Sequence, residues 1–183
     1  TVIILINDPD YARKDLKGPF EGRAMTYYGR WTYKYEEAAR QGAAAALIVH
    51  DTFPAAYPWD VVVSSWTGPQ LSIDAADGNK DQTQANGWLT GPAAQRLFSS
   101  AGKSLPQLVT AAGKKGFKAV PLGVQANLAF SNTVRRQASH NVVGILPGKT
   151  RPDEVILYSA HWDHLGRCEP VKGDDICNGA LDN

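Results

Sequence analysis

The chain has 183 residues, 43% of them apolar and 20% charged, which is enough for one large folded domain or two small ones. A net charge of +1 creates no field suited to nucleic acid or an anionic membrane, and the basic pairs Lys114–Lys115 and Arg135–Arg136 read as solvated faces. The longest apolar run, Ala43 to Val49, is far too short to span a bilayer.

The chain opens on a β-branched run, Thr1 to Asn7, read as a strand. It lacks an initiator Met, a basic leader and a small-residue cleavage site, so Thr1 reads as a cut end with further residues before it in the parent. Asp8 to Gly22 is a loop, and Arg23 to Tyr28 a short strand or turn. Tyr35, Ala38 and Ala39 recur at helical spacing, which predicts a helix over Thr32 to Gly42 with Gly42 as its stop. Ala43 to His50 fits a buried strand, so the segment is a strand–helix–strand unit with an expected right-handed crossover. Asp51 to Gly91 is rich in loops, with a strand expected at Val61 to Ser65. Tyr57, Trp59 and Trp66 are read as packing residues, with a peptide-contacting lid as the alternative, and His50 as a satisfied structural histidine. Pro92 to Gly102 reads as a helix with Pro in its first turn. Leu105 to Ala112 reads as a helix or an extended segment.

The period then changes. Val124, Ala126, Leu128 and Phe130 alternate within Val120 to Arg136, as one face of a strand would. Ser139 to Leu146 reads as a second strand, closed by Pro147-Gly148, and Val155 to Ala160 as a third, covered on both sides. His140, just before the second, is read as structural or surface. Cys168 and Cys177 stand nine positions apart. A local disulfide, worth about 2–3 kcal/mol by chain entropy, is the leading reading and places the chain outside the cytosol. Two unrelated thiols is the alternative, and a two-cysteine zinc site is disfavoured without a Cys-x-x-Cys pair.

The residues suited to chemistry follow the third strand, in Ser-Ala-His161-Trp-Asp163-His164-Leu-Gly. Strand ends are where α/β sheets collect ligands, and an extended backbone turns His161 and Asp163 to one face. Neutral imidazole binds zinc, and a carboxylate on its other nitrogen fixes the tautomer. Asn178-Gly-Ala-Leu-Asp182-Asn183 adds a carboxylate 21 positions after His161, able to bridge two metal ions. His164 has a substrate-facing or a surface role. No Gly-x-Ser-x-Gly elbow and no phosphate loop is present.

Asn141-Val-Val-Gly-Ile-Leu-Pro-Gly, the apolar run after it, His161-Trp-Asp163 and Gly179-Ala-Leu-Asp182-Asn183 together resemble the start of the co-catalytic di-zinc aminopeptidases. That family also includes the glutamate carboxypeptidase-like enzymes. Gly22 to Asp51 resembles the protease-associated domain often inserted in them. The resemblance implies an α/β fold: a protease-associated domain at residues 1–120, then the first strands of a zinc-peptidase α/β sandwich at residues 121–183. It implies His161 as ligand to one zinc, Asp163 as the residue orienting that imidazole, and Asp182 as the bridge between two zinc ions. The implied reaction is hydrolysis of an N-terminal peptide bond by zinc-bound hydroxide, in a secreted or periplasmic enzyme acting on peptides. The family continues with a Glu pair, a further acidic ligand and a His. The chain stops at Asn183, and its one Glu-Glu pair, Glu36–Glu37, reads as a solvated helix face. The chain alone is therefore expected to bind zinc weakly and to cleave nothing. Its strands after residue 121 are expected to expose edges that pair with another copy. The rival readings are a non-catalytic peptide-interaction module, and carboxypeptidase or glutaminyl-cyclase chemistry on the same fold.

Overall fold

The computed structural model describes residues 1–15, 17–163 and 166–176. It divides into two units, Thr1–Phe130 and Ser131–Asn183. In the first, three parallel strands form one sheet: β1 (Val2–Leu5), β2 (Ala45–Val49) and β3 (Ala85–Leu89), in the order β1-β2-β3. The register sets Ile4 beside Ile48 and Ile48 beside Trp88.

Helix α1 (Trp31–Arg40) links β1 to β2 and buries Tyr35 and Ala38. Gly42, at φ +76°, stops it. Its N–H reaches the Ala39 carbonyl at 2.8 Å and the Ala43 N–H reaches that of Ala38 at 2.9 Å, the paired bonds of a Schellman ending. Alternation along β2 feeds two cores. Ala46 and Ile48 pack with Ile6, Tyr35, Ala38 and Ala55. Val49 faces the other way, onto Ala94, Phe98 and Leu105. The last three belong to α4 (Gly91–Ser100) and α5 (Leu105–Ala112), which follow two short helices, α2 (Thr52–Ala55) and α3 (Trp59–Trp66). Thr90 caps α4 by accepting the Ala93 N–H at 3.2 Å. This mixed α/β arrangement agrees with the α/β class read from the sequence.

Two sequence expectations are corrected here. Val61 to Ser65 lies inside α3 and is not a strand. Its β-branched residues favour a strand, but Val62 is buried and Trp66, four residues on, packs on the first core. A helical period with Pro58 just ahead of it satisfies both side chains. Conversely, β3 falls in a stretch read as loop. Ala-Asn-Gly-Trp-Leu lacks strand alternation, yet it pairs with β2 throughout. Gly87 makes this possible, because a Cβ there would stand 3.1 Å from a Leu47 methyl.

In the second unit, the regular structure among the described residues is an antiparallel hairpin of β4 (Arg167–Val171) and β5 (Asp174–Ile176). Lys172 (φ 54°) and Gly173 (φ 89°) take the positive φ that a two-residue hairpin turn demands. The strands expected at Val120 to Arg136, Ser139 to Leu146 and Val155 to Ala160 carry no ladder pairing among the described residues. Val142 is 92% exposed, Leu146 97% and Ile156 83%. Their periodicity marks which side chains a sheet would bury, but a strand also needs a neighbour for its backbone groups. Among the described residues no helix is long and apolar enough to cross a membrane.

Candidate metal-binding site

Two extended stretches of the second unit, Ser139 to Asn141 and Ser159 to Asp163, line one open depression. His161 and Asp163 both face it, as does His140. The His161 ring turns back on its own chain. Its Nδ1 pairs with the Asp163 main-chain carbonyl and lies 3.4 Å from the Asp163 Oδ1. A carbonyl can only accept, so Nδ1 is the donor in this contact. An imidazole that ligates a metal through Nε2 has its other nitrogen tied to oxygen in this way.

Water reaches both partners, with the His161 side chain 46% exposed and that of Asp163 89% exposed, so the pair contributes little to stability. Its value is geometric: two residues of spacing bring imidazole and carboxylate together without help from a sheet. The donors fit zinc in kind, since zinc takes imidazole nitrogen and carboxylate oxygen. In number they fall short, because no group of three His, Cys, Asp or Glu suited to a metal occurs among the described residues.

The structure thus brings together His161 and Asp163. Asp182, His164 and the Cys168–Cys177 pairing lie outside the described residues. His140, read as structural or surface, lines the same depression, and no feature of its local sequence signals this. His50 is 5% exposed, and its Nε2–H donates to the Tyr57 carbonyl at 3.0 Å, a satisfied core histidine as read. Glu36 and Glu37 lie on the exposed side of α1. Glu36 accepts from the Tyr27 hydroxyl at 2.7 Å and Glu37 pairs with Arg40, far in role from a catalytic pair.

Residues 141–183 match the family model described as peptidase family M28. Peptidases of that family are typically zinc-dependent, so the match supports a zinc peptidase, and hence a hydrolase, at the family level. No curated protein and no solved structure matches the chain.

Proposed function

We propose that residues 121–183 are the metal-binding opening of a zinc aminopeptidase, and that residues 1–120 are a protease-associated domain. The observation that carries the first part is the His161 ring, whose Nδ1 is tied to Asp163. In this reading His161 is a zinc ligand through Nε2, and Asp182 is the carboxylate that bridges two zinc ions. Asp163 positions the imidazole and holds its proton on Nδ1. When bound, zinc supplies Lewis-acid polarisation of the scissile carbonyl. Trp162, 78% exposed beside the pair, offers an apolar wall to a substrate side chain. The strand–helix–strand unit of β1, α1 and β2 supports the protease-associated reading of the first part.

Catalytic zinc sites usually hold each ion with about three protein ligands. With His161 and Asp182 alone as ligands, the chain by itself binds zinc weakly and turns over no peptide. Exposed apolar residues such as Leu157 favour pairing with a second copy. A secreted or periplasmic setting rests on the Cys168–Cys177 spacing, and thiol titration of the unfolded chain tests it. The deciding experiment follows the histidine side-chain nitrogens by NMR during a zinc titration. Zinc should shift His161 Nε2 at high micromolar concentration or above, leave His50 unchanged, and lose its effect in His161→Ala. Shifts confined to His140 or His50 would overturn the site. Stoichiometric tight binding, or turnover of an aminoacyl amide, would overturn its incompleteness.

A further inference from the structure

In the first unit, a half-open cavity of about 550 Å³ lies at the carboxyl ends of β1, β2 and β3. This is the end of a parallel sheet where strand termini and helix starts leave space for ligands. It is built wholly from residues of the first unit. Val49 and Leu105, both buried, form its floor with Leu5 and Val109. Trp59 forms a wall, its ring 5.6 Å from that of His50.

The polar side chains that line this cavity are Tyr11, His50, Asp51, Thr52 and Thr90. Asp51 is the one carboxylate or basic side chain, His50 aside, among the described residues that line it. Its Oδ1 accepts the Phe53 N–H at 3.2 Å as the cap of α2, and that single bond leaves acceptor capacity on the carboxylate. Tyr11 also lines the cavity. Burial, and then the charge of Asp51, raise this phenol above its ordinary value, so it stays neutral and keeps both its proton and its lone pairs. Arg23 stacks over Phe53 at 5.4 Å, on a ring that itself meets Tyr11 at 5.8 Å. It makes no ion pair with Asp51 among the described residues. The His50 donor is already spent on Tyr57. An apolar floor with one aromatic wall, a carboxylate and a neutral phenol calls for a hydrophobic group ending in a cation.

We propose that this cavity binds a small apolar group carrying a primary ammonium, with the apolar part against Val49, Leu105 and Trp59 and the ammonium on Asp51 and the Tyr11 oxygen. A free amine and the N-terminus of a peptide with a large apolar first residue share this chemistry.

The test is an NMR titration of the full chain at about pH 6.5, where both amines are protonated, with phenethylamine, 2-phenylethanol and the peptide Phe-Gly-Gly, read at the Trp59 indole and the Val49 methyls. Phenethylamine should saturate at roughly tenfold lower concentration than the neutral alcohol. Asp51→Asn keeps a capping side chain and should erase that difference. Tyr11→Phe leaves the cap untouched and should weaken phenethylamine by about threefold. Asp60→Asn, on α3 and outside the cavity lining, should change nothing. Phe-Gly-Gly binding as well as phenethylamine would identify a peptide N-terminus as the ligand, and phenethylamine alone a free amine; both support the site. Equal binding of amine and alcohol, no loss in either Asp51→Asn or Tyr11→Phe, or shifts that spare Trp59 and Val49 would overturn it.

Discussion

Ile48 is wholly buried in the middle strand, flanked in register by Ile4 and Trp88 and packed in one cluster with Tyr35 and Ala38. Ile48→Ala removes three carbons. At about 0.8 kcal/mol per buried methylene, the transfer loss is roughly 2.4 kcal/mol. Strands on both sides and α1 above limit collapse into the space, so a cavity contribution brings the expected loss to about 3–4 kcal/mol. Ile48→Val removes one carbon and should cost about 1 kcal/mol. The assay is urea unfolding followed by tryptophan fluorescence. Trp31 and Trp66 stack around Tyr35, and Trp66 meets Trp88, so the signal reports this unit. Leu71→Ala, at a site 81% exposed, is the control and should stay within about 0.5 kcal/mol. A loss below about 1 kcal/mol for Ile48→Ala, with an unchanged denaturant slope, would refute the claim that this face of β2 is the centre of the core.

Gly29→Ala would set a methyl 2.9 Å from the Asp8 carboxylate, which is 1% exposed and accepts the Thr26 N–H at 2.9 Å. The expected cost is about 1–3 kcal/mol in thermal unfolding, and an unchanged melting temperature would show that the loop yields freely. The Tyr35 hydroxyl donates to the Gly87 carbonyl at 2.9 Å, and burial, then Tyr57, push its pKa far above the ordinary phenol value. A raised folded-state value gives stability that is complete below about pH 10 and lost as pH climbs above it. Tyr35→Phe should cost about 1 kcal/mol at pH 8, with the gap closing above pH 10; a gap independent of pH contradicts this. Lys34, which burial holds below its usual value, titrates with the opposite sign but is common to both proteins and cancels. Amide exchange across Val155 to Ala160 should be fast in the monomer, since Val155, Ile156 and Leu157 are all more than 80% exposed. Full protection of those amides in a particle that light scattering shows to be monomeric would contradict both the exposure and the pairing proposed from it.

Legibility followed how local the deciding interaction is. The extent of α1 was readable because Tyr35, Ala38 and Gly42 sit within two turns, and the Schellman bonds that stop it span six residues. β2 was readable from an apolar run that nothing but a covered strand would use. β3 was not, because its place depends on Leu47 and Tyr35, about 40 and 50 residues away, accepting a glycine at position 87. The α3 segment went wrong because three adjacent valines carry strand propensity, while Val62 and Trp66 carry the packing that decides. The hairpin of β4 and β5 went unread because its signal is a two-residue Lys-Gly turn, without the Asn-Gly or Asp-Gly that announces one.

The same distinction applies to the candidate metal-binding site. The contact between His161 and Asp163 closes over two residues, so it forms on an exposed backbone and needs no neighbouring strand. In the proposed site the Asp182 carboxylate stands 21 positions after His161, and gathering it carries a closure entropy that grows with the logarithm of that separation. Closure is offset where the stretch carrying His161 is paired and covered, and the side chains from Val155 to Tyr158 are 81–91% exposed. On the proposed reading, zinc affinity and burial of this stretch are coupled: whatever pairs with it lowers the cost of gathering the remaining ligands, and by linkage zinc strengthens that pairing by the same factor. Adding zinc to a self-associating preparation should shift it toward the larger particle in the intact chain and leave His161→Ala unmoved. Association indifferent to zinc would mean that the two events occur on independent parts of the molecule.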